Sequence, residues 1–347
     1  MVTDSRFPSY RYLGLDELGD QRHLVVDGAP RPNTTTVLSH WPISPTPTGL
    51  WRDLSAEIVY AYLLDPDAWD RSVEVVTNDH LDVDGLISLY FLINPDRAVE
   101  KAELLIEVAR VGDFGVVRST QAAEIAWILE ALMQDPDLAI VDLVDSAVTP
   151  GRATTVMYRA LLALLERIIE SPERYESIVR GPRERFQATM VDLAAGRVAL
   201  EEHLESDLCI AHVDRTVSID EGSNIVEGVP IGVDRYAIHS ATSASRILVC
   251  HGQRFVYYDR YETWVRYVSQ RHLLRRDLQK LALQLNAIDN VQWVAGHPST
   301  LAPVLHHGEN ASSLTQDCLV KTLLDFLSQS PVAWNPFESH GGAFATS

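Results

Sequence analysis

Along this chain the spacing of apolar positions switches between a period of two, which marks strands, and one of about 3.6, which marks helices. The run Val73 to Thr77 is β-branched and reads as a buried strand, and it passes directly into the polar turn Asn78-Asp79-His80-Leu81-Asp82-Val83-Asp84-Gly85. Short strands are also expected at 23–27, ending in Asp27-Gly28-Ala29-Pro30, and at 35–39, ending in His40-Trp41-Pro42. Helical spacing follows from Asp53 through Leu54, Ile58 and Tyr62, then over 86–92, 101–111, 119–134 and 153–171. The stretch 139–145 fits either a strand or a helix. A polar-faced helical region is expected from Pro172 to about Ser206, broken at Gly181-Pro182.

A strand at 207–214 ends in His212 and Asp214, and Thr216 to Pro230 is rich in turn formers. The pattern then turns β-rich: 246–250 and 254–258 flank His251-Gly252-Gln253 as a hairpin, with Trp264 to Ser269 as a third run of the small sheet. Helices are expected over 276–285 and 314–327. Strands alternating with helices predict an α/β protein in two parts, an N-terminal domain, 1–215, and a smaller C-terminal domain, 216–347.

In extended backbone, residues two apart project to the same side, so His80, Asp82 and Asp84 would converge on one point, and Gly85 permits the turn into a helix. One imidazole among carboxylates suits Mn²⁺, Mg²⁺ or Fe²⁺ better than a thiolate zinc site does. The plainer alternative is that the acids form a turn and cap the helix. Asp27 and His40 stand at strand ends, where α/β folds present side chains, and either a structural role or a place lining the site fits them.

The segment His80-Leu81-Asp82-Val83-Asp84-Gly85-Leu86-Ile87-Ser88 resembles motif I of the DHH phosphoesterase superfamily. The resemblance implies an α/β domain with a parallel sheet that binds one or two divalent ions, manganese foremost, through His80, Asp82 and Asp84, and that hydrolyses phosphate esters or anhydrides. It also implies a bridging aspartate after the first helical excursion. Asp113, in Gly112-Asp113-Phe114-Gly115, is the candidate, and Asp142 and Asp145 are rivals if 139–145 is a strand. The Asp-His-His triplet of the family is absent, and His40, His212 or His239 could stand in for it.

The second half resembles the substrate-binding domain often appended to DHH domains, through Val268-Ser269-Gln270-Arg271, Arg276-Asp277-Leu278, Leu281-Ala282 and Ala295-Gly296-His297-Pro298. That implies a mixed sheet in the C-terminal domain, and contacts from Arg271, Gly296 and His297 to a substrate phosphate in an interdomain cleft. Only Gly296 remains of the family's glycine run.

Composition narrows the function classes. At 347 residues and 46% apolar content the chain can bury two cores, and a net charge of −19 argues against gripping duplex nucleic acid. Three well-separated cysteines, Cys209, Cys250 and Cys318, suit no disulfide framework, and neither a signal peptide nor a membrane span is legible. A cytoplasmic setting and no membrane are therefore expected; a small phosphorylated or nucleotide substrate is what the resemblance implies, and a homodimer is allowed. The alternatives are a hydrolase of a non-phosphate bond, or a non-catalytic protein that binds a nucleotide or partner on a worn DHH scaffold.

Overall fold

The computed structural model describes residues 6–135, 150–217, 225–270 and 274–338. It is mixed α/β, as the alternating periods predict. The chain falls into two compact units, Met1–Arg183 with Tyr267–Ser269, and Glu184–Arg266 with Gln270–Ser347.

The first unit carries β1 (Arg11–Tyr12), β2 (His23–Val26), β3 (Thr34–Leu38), α1 (Ser55–Leu64), β4 (Val75–Thr77), α2 (Val83–Ile93), α3 (Pro95–Glu100), α4 (Ala102–Phe114), α5 (Thr120–Gln134) and α6 (Pro150–Glu170), and α7 (Glu176–Ala194) begins in it. Its strands pair in the order β1-β4-β2-β3, all parallel. β2 and β4 are buried at every position, as a parallel sheet covered on both faces requires. α2 is buried from Val83 to Leu92, so this helix is apolar nearly all round and lies inside the unit rather than on its surface.

The second unit contains β5 (Val198–His203), β6 (Leu208–Val213), β7 (Ile225–Val226), β8 (Val229–Pro230), α8 (Arg235–Ala241), β9 (Arg246–His251), β10 (Arg254–Asp259), β11 (Arg275–Arg276), α9 (Leu278–Asn286), β12 (Val294–Ala295), β13 (Val304–His306), α10 (Gln316–Gln329) and β14 (Val332–Trp334). A six-stranded mixed sheet runs β12-β13-β10-β9-β6-β5, with β6 and β9 parallel and the other pairs antiparallel. Successive residues point to opposite faces. Leu208, Ile210, Leu248 and Cys250 therefore pack against Leu281, Leu285, Leu323 and Phe326 of α9 and α10, while Cys209, Ala211, Ile247 and Val249 meet Ile231, Val233 and Ile238. The expected hairpin is present, with Gly252 at φ +62° in a two-residue turn.

Four sequence expectations need correction. The helix expected to break at Gly181-Pro182 continues through Pro182 to Ala194, where Gly196, at φ +71°, turns the chain. The stretch before Ser206, expected to be helical, instead forms β5, because its backbone finds an antiparallel partner in β6. That pairing ties 198–213 to the C-terminal sheet, so the units divide near residue 183 rather than at 215. Finally, Trp264–Ser269 adds no strand: the amides of Val268 and Ser269 donate to Asp53 Oδ1, at 2.8 and 2.9 Å. Among the described residues no helix is long and apolar enough to cross a membrane.

Candidate metal centre

Parallel strands end on the same edge of a sheet, and β2, β3 and β4 bring Asp27, His40 and the 78–84 turn together there. Asn78 stitches two of these ends: its Nδ2 donates to Val26 O (3.1 Å) and Asp27 O (3.2 Å), and its Oδ1 accepts from His80 N (2.8 Å). Asp27 sits at φ +44°, a left-handed conformation that is uncommon for a non-glycine residue. Strain of this kind collects where function fixes a side chain.

Six side chains meet at this edge. His40 Nε2 lies 3.5 Å from Asp27 Oδ1, 3.9 Å from Asp84 Oδ2 and 3.5 Å from Asp113 Oδ2. His80 Nε2 lies 3.3 Å from Asp27 Oδ2 and 2.7 Å from Asp82 Oδ2. Two groups thus have ligand atoms mutually within 4.8 Å, Asp27-His40-Asp84 and Asp27-His80-Asp82, and they share Asp27. These Asp and His groups could hold a metal ion. The first group is buried, whereas His80 and Asp82 are about a third exposed, at 31% and 32%, so the centre opens on their side.

The imidazoles are oriented from behind. His40 Nδ1 lies 2.6 Å from the Asp53 carbonyl oxygen, which can only accept, so Nδ1 carries a proton and Nε2 faces the carboxylates. His80 Nδ1 is 3.2 Å from Asp79 Oδ1, the same arrangement with a carboxylate behind the ring. Metal-bound histidines are typically held this way. Asp84 takes the amides of Ser55 and Ala56, at 2.8 Å each, on its two oxygens, and Ser55 Oγ donates to Asp27 Oδ1 at 2.7 Å. Asp82 fills both sequence readings: Oδ1 caps α2 by accepting from Gly85 N (2.8 Å), and Oδ2 faces His80. Tyr158 Oη donates to His80 O at 2.5 Å and so braces the turn.

The electrostatics call for a cation. Burial, and then the neighbouring Asp charges, push the carboxyl groups of Asp84 and Asp113 well above the ordinary range, and burial followed by Asp82 raises Asp27. Burial opposes the charge on His80, yet Asp82 and bonds to Asp27 and Asp79 carry its pKa well above the usual imidazole value. In Asp82 burial is outweighed by that imidazole, and its pKa falls. Asp113 Oδ2 is a buried acceptor that takes no hydrogen bond, and Asp27 Oδ2 meets only the His80 ring, at 3.3 Å. Such atoms are costly unless something positive meets them, and a divalent ion fits the donor set.

His80 and Asp82 share one group, whereas Asp84, already in the first turn of α2 rather than in extended backbone, belongs to the other, and Asp113 reaches the cluster from the last turn of α4, which runs through it and ends at Gly115 (φ +65°). Asp27 belongs to both groups that could hold an ion, and Asp113, the expected bridging residue, adjoins one of them through His40. Of the three histidines considered as stand-ins for the missing triplet, His40 is in the centre. His212 and His239 belong to the second unit, where His212 Nε2 contacts Glu201 (2.9 Å) and His239 Nε2 contacts Tyr258 Oη (3.0 Å). Asp214 is exposed and accepts from Thr216, forming a turn. Arg271, Asp142 and Asp145 lie outside the described residues. Gly296 and His297 are in the second unit, Gly296 donating to Val304 O (2.9 Å) and His297, exposed, bonding Ser299 Oγ (2.7 Å). Asn78 and Asp79 carried no signal of their own beyond their place in the turn.

Residues 8–338 match the family described as "Family of unknown function (DUF6687)", and the chain belongs to that family. Neither the curated proteins nor the solved structures contain a match.

Proposed function

For this member of a family without an assigned activity, we propose a divalent-metal-dependent hydrolase acting on a small phosphorylated or nucleotide substrate. The observation that carries the reading is the pair of ligand groups sharing Asp27, each with one imidazole turned toward carboxylates. Asp27, His40 and Asp84, with Asp113 beside them, would hold one ion, and Asp27, His80 and Asp82 would hold a second. Oxygen-rich sets with one imidazole suit Mn²⁺, with Mg²⁺ and Fe²⁺ as alternatives. Paired ions supply Lewis-acid polarisation of a phosphoryl oxygen and a nucleophile at neutral pH.

The chain's own residues supply the framework. The Asp53 carbonyl and the Asp79 carboxylate keep each ring's Nε2 aimed inward, and the amides that start α1 fix Asp84. Phe114, its ring 6.3 Å from His40, helps keep water from the buried side. His80 and Asp82 face the open side, where substrate enters. The resemblance to the DHH superfamily in the 80–88 segment supports the same chemistry. In the test, hydrolysis of bis(p-nitrophenyl) phosphate is followed in EDTA and then with Mn²⁺ restored. Turnover that needs the ion and disappears in Asp27→Asn is expected; bound metal without turnover of this or a panel of phosphate esters would move the protein to a binding role.

A further inference from the structure

An anionic substrate approaching this centre meets a chain of net charge −19 and, at the mouth, Asp79 and Asp82 as well. Something on the rim has to offset that repulsion. The loop after β2 carries Arg31, whose side chain is 42% exposed, with Nη2 3.3 Å from Asp79 Oδ2. The other oxygen of Asp79, Oδ1, faces His80 Nδ1 at 3.2 Å. One carboxylate therefore spans from the guanidinium to an imidazole whose far nitrogen faces Asp27 and Asp82.

The loop is built to stand where it does. Gly28 N donates to Ser39 Oγ (3.1 Å), Ala29 N to Asp79 Oδ2 (3.4 Å) and Arg31 N to Thr34 Oγ1 (2.8 Å), while Thr34 N returns a bond to Arg31 O (3.0 Å). A Cβ at Gly28 would come within 2.6 Å of Asp79 Oδ1, so the backbone packs on this carboxylate with no room for a side chain. A guanidinium has five N–H donors in a planar fork, and the long contact to Asp79 engages one of its nitrogens. The fork matches two oxygens of a phosphoryl group.

We propose that the loop 28–31 is the phosphoryl-binding lip of the metal centre, with Arg31 the residue that grips the substrate's oxyanion and Asp79 the positioning residue that sets it beside His80. This rests on the metal-dependent reading above and adds to it the residue that recognises the substrate.

The test titrates inorganic phosphate calorimetrically into Mn²⁺-loaded wild type, Arg31→Ala, Arg31→Lys and a control, Arg11→Ala, whose guanidinium bonds Gln21 instead. Metal content is measured on every sample. Arg31→Ala should keep its metal and lose phosphate affinity by about tenfold or more, Arg31→Lys should recover part of it, and Arg11→Ala should bind as wild type. Wild-type phosphate affinity in fully loaded Arg31→Ala overturns the lip and leaves the metal reading intact, as does loaded wild type that binds no phosphate. Loss of metal in Arg31→Ala overturns direct recognition, because the arginine then acts through Asp79 and His80. Wild type that takes up no metal overturns the metal reading and the lip with it.

Discussion

Asp27 contributes to both ligand groups, so its removal should cost more than that of any residue serving one. Asp27→Asn is expected to weaken binding at both positions, whereas Asp82→Asn should leave the Asp27-His40-Asp84 group its ligands; competition against a fluorescent chelator separates the two. The sequence marked Asp27 and His40 as strand-end residues without ranking them. What it lacks is the order in which parallel strands pair: the β4-β2-β3 neighbourhood places both beside the 80–84 turn, and no local pattern encodes that adjacency. The cysteines give a second check at this scale. Burial pushes the thiols of Cys209 and Cys250 up to about 12, while Cys318 is exposed. Native protein treated with iodoacetamide should gain one adduct, at Cys318, by mass spectrometry, and a second native adduct would contradict the packing of the C-terminal sheet.

At the scale of elements, the junction of β4 with α2 shows how closely fold and site are joined. Gly85 was legible as a turn glycine, but its role is mainly one of space: a Cβ there would lie 2.5 Å from Asn78 Nδ2, 2.6 Å from Tyr158 Oη and 2.9 Å from Asp82 Oδ1. Gly85→Ala should lower stability by about 1–3 kcal/mol in urea unfolding with EDTA present, the usual range for forcing extra volume into a packed site. It should also weaken metal binding, since Asp82 and Asn78 have to move; an unchanged unfolding midpoint would contradict the close packing. α1 offers a parallel case. Its N-cap is Leu54, which has no side-chain acceptor, and its first amides, those of Ser55 and Ala56, are met by Asp84 from another helix. Sequence rules search for a cap at the neighbouring residue, where Asp53 stands, whereas the Asp53 carboxylate instead accepts from Val268 and Ser269. The continuity of α7 through Pro182 and the formation of β5 were illegible for a different reason: both run against local propensity, although β5 pairs with the next strand, β6.

For the whole molecule, an ion bound at this centre would couple to stability and to pH. With the metal stripped, Asp27, Asp84 and Asp113 have raised pKa values in the folded state. Groups of this kind favour folding below the unfolded carboxylate pKa, about 3.9, and that contribution is lost as pH rises through their folded values. His80, also raised, acts in the same direction at higher pH, its contribution fading above the ordinary imidazole value. Asp82 and Asp79 are lowered and act oppositely, losing their contribution as pH falls through their folded values. A bound ion holds the carboxylates ionised, so the Tm difference between Mn²⁺-loaded and EDTA-treated protein should widen as pH rises from about 5 to 7.5. A difference that is flat with pH would mean that the buried acids do not meet the ion. The α/β class was readable from period, and two units from length, apolar content and the change of texture after residue 216, while the division near residue 183 was not, since it follows from which sheet 198–213 joins.

The measurement that bears most directly on the centre is elemental analysis of wild type and Asp27→Asn after incubation with Mn²⁺ and removal of free ion. Two ligand groups sharing Asp27 predict up to two ions per wild-type chain and a loss at both positions in the variant. A metal-free wild type, or an Asp27→Asn protein that keeps the full complement, would contradict the account.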